Sequence, residues 1–189
     1  MVSAPLANLE GRRVLLGVSG GIAAFKIISL TSMLTKSKAQ VEVILTRSAL
    51  NLVTPASFQA FTGRPARTKI FTAPEDVRSN HIQLAQWAQL YVIAPATANT
   101  LAALSYGFAH NLLTCTALAV ECPILIAPAM NSVMWANRLV GENVCRLKEF
   151  GFKFLGPDEG MLACGTTGPG RMAEPEEIYQ NIVNLLQAR

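Results

Sequence analysis

Residues 13–36, RVLLGVSGGIAAFKIISLTSMLTK, predict a buried strand that passes through a glycine turn into a helix. Residues 13–19 are rich in Val and Leu and alternate little, which is typical of a parallel strand covered on both faces. Gly20 and Gly21 end the strand, and apolar residues then recur at mostly helical spacing over residues 22–36. This order of elements is the opening unit of an α/β protein.

The alternation of strand and helix patterns continues along the whole chain. Further strands are predicted at residues 40–45, 90–94, 123–127 and 152–155, and helices at 49–61 with an interruption at Pro55, 81–88, 98–106, 111–120, 138–150 and 174–187. This order predicts a doubly wound parallel sheet with helices on both faces, the three-layer αβα arrangement of the flavodoxin-like (Rossmann-type) class. We expect residues 1–189 to form a single domain, since no internal repeat and no linker is found.

Composition indicates a globular chain with excess positive charge. Of the 189 residues, 51% are hydrophobic and 15% are charged, with a net charge of +4. The charged fraction is below the usual value of about 25%, which favours a homo-oligomer with apolar surface between subunits. Lys and Arg are scattered, which argues against a nucleic-acid partner and favours a small anionic ligand. No apolar stretch approaches the ~20 residues that span a bilayer, and no signal peptide opens the chain, so we expect no membrane partner and a cytoplasmic protein.

The cysteines point to a reduced protein without a metal. Cys115, Cys122, Cys145 and Cys164 form no CxxC pair, and the two histidines lack metal-ligand spacing. The first three cysteines fall in helix or strand patterns and are predicted to be small buried hydrophobes. Cys164 instead lies in the Gly- and Pro-rich residues 156–170, which are too long for a plain connector and predict a binding flap. A thiol in such a flap could close over a substrate and donate a proton.

The turn after the first strand is a candidate phosphate site. Its glycines allow close approach of the backbone, and the start of the next helix presents N–H groups and partial positive charge to an anion. The residues concerned are Ser19, Gly20, Gly21 and Ile22. The turn matches neither the Walker loop nor GxGxxG, so a mononucleotide such as FMN is the natural occupant, although a tight turn without ligand has the same pattern. Thr46 and Ser48, after the second strand, could add hydroxyl donors or could simply cap a helix.

The loop after the third strand is a candidate site for a flat ring. In residues 95–100, PATANT, small residues let a ring lie close to the backbone, while hydroxyl, amide and N–H groups can bond its polar edge. In a doubly wound sheet this loop and the glycine turn converge at the switch point. The predicted flavin contacts in the loop are Pro95, Ala96, Thr97, Asn99 and Thr100.

The octapeptide PAMNSVMW, residues 128–135, directly follows the fourth strand. Asn131, between two methionines and a tryptophan, predicts a recognition group at the mouth of an apolar pocket, or alternatively the N-cap of a helix. His81, at a helix start, is by default a solvated histidine, unless it converges with Asn131 on one substrate. The same default holds for His110, where Asn111 could cap the next helix.

Several separated motifs together resemble the homo-oligomeric flavin-containing cysteine decarboxylases. They are GVSGGIAAFK at residues 17–26, PAMNSVMW, which fits PxMNxxMW, and ACG followed by GPGRM within residues 163–172. The resemblance covers nearly the whole chain. It implies non-covalent FMN, a trimer or a dodecamer of trimers with sites at subunit contacts, and decarboxylation of 4′-phosphopantothenoylcysteine to 4′-phosphopantetheine in coenzyme A biosynthesis.

The resemblance also implies residue roles. His81 would be the catalytic base, Asn131 would hold the substrate carboxylate, and Cys164 would donate the last proton. The implied reaction oxidises the cysteinyl thiol to a thioaldehyde, releases CO₂, then reduces and protonates the ene-thiolate. Met130 is an implied flavin contact. The implied substrate contacts besides Asn131 are Met134, Ala163, Gly165 and Arg171, the last as a possible partner of the substrate phosphate.

Three related functions fit these residues less well. Oxidative decarboxylases of peptides ending in cysteine do not need a reducing-step cysteine, so Cys164 argues against them. Flavin prenyltransferases do not fit PAMNSVMW or the cysteine flap. Non-catalytic regulatory relatives tend to lack a catalytic residue, whereas His81, Asn131 and Cys164 are all present here. Many relatives have an acidic residue where this chain has His110, so its role stays open. Bacterial relatives are often fused to a ligase that makes phosphopantothenoylcysteine, so a fused or separate ligase is an implied partner.

Overall fold

The computed structural model describes residues 6–71, 80–163 and 165–188. Its strands are β1 (Arg13–Val18), β2 (Gln40–Leu45), β3 (Leu90–Ala96), β4 (Ile124–Pro128), β5 (Lys153–Phe154), β6 (Asp158–Met161) and β7 (Thr167–Arg171). Its α-helices are α1 (Lys26–Lys36), α2 (Pro55–Thr62), α3 (Asn80–Trp87), α4 (Ala98–Ser105), α5 (Leu112–Ala119), α6 (Ser132–Trp135), α7 (Arg138–Glu149) and α8 (Pro175–Gln187). Short 3-10 turns lie at Ile22–Phe25 and Ala49–Asn51.

The central sheet is parallel and has the strand order β2-β1-β3-β4-β5. This is the flavodoxin-like order, in which the direction of winding reverses between β1 and β3. Loops that leave the carboxyl ends of those two strands part to opposite faces and open a crevice between them. The predicted flavodoxin-like fold is confirmed, and the crevice is where a ligand site is expected.

Two apolar clusters cover the two faces of the sheet. Val14, Leu16 and Val18 of β1 belong to one cluster, which includes buried residues of α1, α2 and α8. Leu15 belongs to the other, which includes buried residues of α3, α4, α5 and α7. Successive side chains of a strand point to opposite faces, so an uninterrupted apolar run can supply both clusters at once. The three-layer αβα arrangement follows from this division.

Two predicted helices differ from the observed elements. The helix predicted at residues 22–36 begins as the tighter 3-10 turn Ile22–Phe25 and becomes α-helical only at Lys26. The helix predicted at residues 49–61 is a 3-10 turn followed by α2, with Pro55 in the first helical position rather than as an interruption. Proline has no N–H to lose at that position, and the Thr54 hydroxyl accepts a hydrogen bond from the Ser57 N–H.

Residues 156–170, predicted as an irregular flap, contain an antiparallel hairpin. Strands β6 and β7 pair from Asp158 with Arg171 to Met161 with Thr167. Glycines at residues 160, 168 and 170 leave no side chains to form a period-two pattern, which is why the strands were missed. The flap is therefore a two-stranded arm with a turn at its tip.

Residues 62–80, between the patterns of the second and third helices, fall only partly within the described residues, which omit 72–79. Their first part runs beside β2, where the Arg67 N–H donates to the Val43 carbonyl oxygen at 2.7 Å. No α-helix of the described ranges is both long and apolar enough to cross a membrane.

The cysteines are less buried than predicted. Cys145 is exposed, which corrects the expectation of a buried side chain, while Cys115 and Cys122 are half-buried. Burial raises the pKa of the Cys115 thiol, which donates a hydrogen bond to the Ala109 carbonyl oxygen. A raised pKa lowers the thiolate fraction and makes Cys115 a poor nucleophile.

Candidate active site

A buried serine joins the two loops at the switch point. Ser19 follows β1 and is 2% exposed. Its hydroxyl donates to the Pro95 carbonyl oxygen at 2.6 Å and accepts from the Thr97 N–H at 3.1 Å. The side chain predicted to contact a cofactor thus fixes the glycine turn against the loop after β3, and so sets the width of the crevice.

The glycine turn has the features of an anion cradle. A Cβ at Gly20 would overlap the Ser48 side chain, so only glycine allows this close approach of the two loops. No side chain caps the helix start at Gly21, and no acidic residue lies in the first turn. The first N–H groups of a helix have no acceptor within the helix and carry partial positive charge. The turn can therefore accept a phosphate group.

A cavity of about 540 Å³ opens beside this turn. Small-molecule sites in proteins occupy roughly 300–1,000 Å³, so the cavity can take a cofactor ring or a substrate. Its walls come from the glycine turn with the start of α1, the loops after β3 and β4, and the hairpin β6–β7. The residues that line it are Gly20, Gly21, Ile22, Ala23, Phe25, Lys26, Thr97, Ala98, Ala129, Met130, Asn131, Met134, Met161, Leu162, Ala163, Gly170, Arg171 and Met172.

The cavity brings together about half of the residues predicted from sequence. Those that line it are Gly20, Gly21, Ile22, Thr97, Met130, Asn131, Met134, Ala163 and Arg171. Those that do not are Ser19, Thr46, Ser48, Pro95, Ala96, Asn99, Thr100 and Gly165. Pro95 and Ala96 are buried in β3, whereas Asn99 is exposed. Roles of these residues in binding stay predictions.

Two hydroxyl groups predicted to contact the cofactor, those of Thr46 and Thr97, have local partners. The Thr46 hydroxyl accepts from the Ala49 N–H at 3.3 Å, which is the helix-capping alternative, and Thr46 lines a separate cavity of about 350 Å³. The Thr97 hydroxyl caps α4 by accepting from the Thr100 N–H. Capping does not prevent a second contact, because a hydroxyl has two acceptor positions and one donor.

Asn131 both caps a helix and lines the cavity, and its recognition role stays a prediction. Its side-chain oxygen accepts from the Val133 N–H at 2.8 Å and caps α6, while the residue also lines the cavity. An amide nitrogen is a two-proton donor, suited to an anionic oxygen such as a carboxylate. Capping fixes the orientation of the side chain at the cavity wall.

The hairpin is attached to the loop after β4. The Met130 N–H donates to the Gly170 carbonyl oxygen at 3.0 Å, and a Cβ at Gly170 would overlap the Met130 carbonyl oxygen. A Cβ at Gly168 would come within 3.2 Å of the Ser132 Cβ, a tight contact but not an overlap. These contacts hold the hairpin so that Met161 and Leu162, next to its tip, wall the cavity.

Sequence reasoning missed several lining residues, above all Phe25, Lys26 and Met161. The signal for the first two was present, because both fall in GVSGGIAAFK, one of the motifs quoted above. Met161 gave no signal, because its position depends on the hairpin that the sequence pattern did not predict.

Sequence comparison assigns the chain to a family. The family model described as Flavoprotein matches residues 2–187. The chain belongs to the Flavoprotein family. The coenzyme A biosynthesis bifunctional protein CoaBC of Vibrio parahaemolyticus is 42% identical over 173 residues, which are 92% of this chain and 43% of that protein. The chain thus spans less than half the length of this curated relative. The probable phosphopantothenoylcysteine decarboxylase of Streptococcus mutans is 40% identical over 173 residues, 90% of this chain and 97% of that one.

Structural comparison agrees with the family assignment. A solved PPC decarboxylase, a cysteine-to-serine mutant complexed with pantothenoylaminoethenethiol, superimposes with a TM-score of 0.83 at 34% identity. The match covers 93% of this chain and 98% of the solved chain. The flavodoxin-like architecture is therefore that of a Flavoprotein-family member along nearly the whole chain.

Neither histidine of this Flavoprotein-family chain lines the cavity. His81, in the first turn of α3, is absent from the cavity lining, and its Nδ1 is buried without a hydrogen-bond partner among the described residues. Cys164 lies outside the described residues. His110 is exposed and bonds Asn111, whose side chain caps α5, as the alternative interpretation predicted. Within the described ranges no three His, Cys, Asp or Glu side chains are grouped as metal ligands.

Proposed function

We propose that this protein is an FMN-dependent carboxy-lyase that converts 4′-phosphopantothenoylcysteine to 4′-phosphopantetheine in coenzyme A biosynthesis. The observation that carries the proposal is the single cavity in which the glycine turn, the PAMNSVMW loop and the hairpin meet. Further support comes from the similarity to phosphopantothenoylcysteine decarboxylases in sequence and in structure. We infer that residues 1–189 act as one flavoprotein domain.

The flavin cofactor fits the residues that are present. The uncapped helix start at Gly21 suits the phosphate, and the apolar cavity beside it suits a flat ring. Family membership also favours a flavin. When bound, FMN supplies a two-electron acceptor and donor for the cysteinyl carbon and sulfur. We assign its contacts to the glycine turn, to the loop after β3 and to Met130.

The chain's own side chains would hold the substrate and move its protons. The Asn131 amide donates to the substrate carboxylate and orients it for loss of CO₂. His81 takes the proton as the thiol is oxidised to the thioaldehyde, whose C=S bond accepts the electron pair left by CO₂. Cys164 protonates the carbon when the ene-thiolate is reduced, so the two electrons removed first are returned. The net reaction is loss of CO₂ alone.

We further propose that the protein works as a homo-oligomer, a trimer or a dodecamer of trimers. Large apolar side chains are exposed around the cavity, among them Ile22, Phe25 and Met134. A second copy could cover them and bring its His81 toward the cavity. The pathway points to the cytoplasm as the location. The fused form of the Vibrio relative suggests a ligase that supplies the substrate, either on the same chain or separate.

The proposal is tested with purified protein and 4′-phosphopantothenoylcysteine. We expect a yellow protein that loses FMN on denaturation and converts the substrate to a product lighter by CO₂, followed by mass spectrometry. His81→Asn should keep FMN and stop decarboxylation. Cys164→Ser should still release CO₂ but accumulate the oxidised aminoenethiol.

Three outcomes would contradict the proposal. A colourless protein that takes up no FMN would show that FMN is not the cofactor. Turnover of a peptide ending in cysteine, with none of 4′-phosphopantothenoylcysteine, would identify the oxidative peptide decarboxylase. Normal product yield from Cys164→Ser would remove that residue from the reduction step.

A further inference from the structure

Two cations and one carboxylate form a compact group at the base of the hairpin. The Lys26 Nζ lies 2.8 Å from Glu174 Oε1, and the Arg171 Nη2 lies 3.1 Å from the same oxygen. Lys26 belongs to the first turn of α1, Arg171 ends β7, and Glu174 precedes α8. One carboxylate therefore fixes side chains from two distant parts of the chain at a single point.

The guanidinium of Arg171 is held flat and has an unused donor. It lies over Gly160 of the paired strand, where a Cβ would come within 3.3 Å of its Cδ, Nε and Nη1 atoms. The Nε atom is buried and has no hydrogen-bond partner among the described residues. Glu174 occupies only the Nη2 donor, and the Arg171 side chain is 40% exposed, so the guanidinium keeps N–H donors that a ligand can reach.

The charge at the cavity wall is positive. Lys26 and Arg171 are the two charged side chains in the described lining, whereas Glu174 lies behind them. The group of three carries one net positive charge. A guanidinium with a free edge beside an ammonium is the usual arrangement for a phosphate group, which accepts several charge-assisted hydrogen bonds.

The group shares no residue with the other two anion sites. Asn131, one residue beyond Met130 in the loop after β4, is assigned to the substrate carboxylate, and the helix start at Gly21 to the FMN phosphate. Arg171 stands four residues along β7 from Thr167, which is next to the hairpin tip, so the group lies about 13 Å from that tip at 3.3 Å per residue. A substrate whose thiol end lies under the tip would place its far end near this group.

We propose that Lys26 and Arg171 bind the phosphate monoester of the substrate, with Glu174 as the positioning residue that orients both cations. This inference rests on the proposed function and names the specificity determinant of the same cavity. It explains how the enzyme separates a phosphorylated substrate from a peptide that ends in cysteine. It also gives a structural reason for Lys26, which no predicted role accounts for.

The test compares 4′-phosphopantothenoylcysteine with pantothenoylcysteine, which lacks the phosphate. Arg171→Gln should raise KM for the phosphorylated substrate about 10- to 100-fold with little change in kcat, because a charge-assisted contact present in both ground and transition states is lost. KM for pantothenoylcysteine should hardly change. Lys26→Gln should act in the same direction, and Arg171→Lys should restore part of the loss.

Matched variants and a second measurement complete the test. Arg138→Gln and Lys38→Gln remove exposed cations of other ion pairs and should behave as wild type. Glu174→Gln should raise KM for the phosphorylated substrate, and Glu174→Asp should recover part of it. Equilibrium dialysis with 4′-phosphopantothenate and pantothenate, on the FMN-loaded protein, measures phosphate recognition without turnover.

The outcomes separate this inference from the proposed function. An equal rise in KM for both substrates on Arg171→Gln would overturn the inference. Arg171 would then contact the substrate carboxylate or only stabilise the hairpin. A variant that loses FMN but retains riboflavin would instead assign the cations to the flavin phosphate. If wild type turned over neither substrate, the proposed function would fail, while selective binding of 4′-phosphopantothenate would still support the phosphate site.

Discussion

Gly170→Ala should release the hairpin from the loop that it closes on. Gly170 has φ +138°, which favours glycine, and a Cβ there would overlap the Met130 carbonyl oxygen. The strained backbone costs about 1–3 kcal/mol, and displacing the strand loses the hydrogen bond from the Met130 N–H, about 1 kcal/mol more. We expect a total of about 3 kcal/mol, which lowers Tm by roughly 6–12 °C for a chain of this size.

Thermal and urea unfolding of two control variants isolate the cause. Gly141→Ala lies in α7 with no atom within 4 Å of the added Cβ, and should be neutral or stabilise by up to about 1 kcal/mol. Gly11→Ala has positive φ but the same open space, so it reports backbone strain alone. If Gly170→Ala lowered Tm no more than Gly11→Ala, the close contact with Met130 would have no energetic role.

Three further predictions concern the switch point, the sheet and the loop after β4. Ser19→Ala should lower the unfolding free energy by about 1–3 kcal/mol in urea titrations and should speed FMN release. The reason is that the Thr97 N–H loses its acceptor, and the Pro95 carbonyl oxygen keeps only the Ser19 backbone N–H. Burial, and then the neighbouring Cys122, raise the pKa of Tyr91 above its usual value of 10. The unfolded chain therefore ionises at a lower pH than the folded chain, so the free energy of unfolding falls as the pH rises above about 10. Tyr91→Phe should flatten that fall in stability. Asn131→Ala and Asn137→Ala each remove a helix cap, and each should lower the free energy of unfolding by about 1 kcal/mol, measured by thermal unfolding. Only Asn131→Ala should also abolish turnover.

The central sheet was predictable because each strand is marked by the polarity of its own residues and of those next to it in sequence. Strands buried on both faces must be apolar throughout, and β1, β3 and β4 are each bounded by glycine, proline or polar residues that end a strand. The helix-capping alternatives at Thr46 and Asn111 were predictable for the same reason, since a capping side chain and the N–H that donates to it lie within three residues.

The site was predictable only in part. Motifs that follow parallel strands converge at one edge of the sheet, so Gly20, Thr97 and Asn131 could be assigned together. Ser19 was assigned to the site without its actual partners, because hydrogen bonds to Pro95 and Thr97 span more than 70 residues of sequence. His81 shares no cavity wall with Asn131 within one chain, which no local pattern could reveal.

The sequence by itself determined the order of strands and helices, the sheet class and the motifs of the family, because each depends on the polarity and spacing of neighbouring residues. Only the tertiary structure decided that a glycine-rich flap pairs as a hairpin, and that Lys26 and Arg171 share the carboxylate of Glu174. Lys26 and Glu174 are 148 residues apart, and a contact between them exists only once the sheet has brought both ends of the chain to one edge.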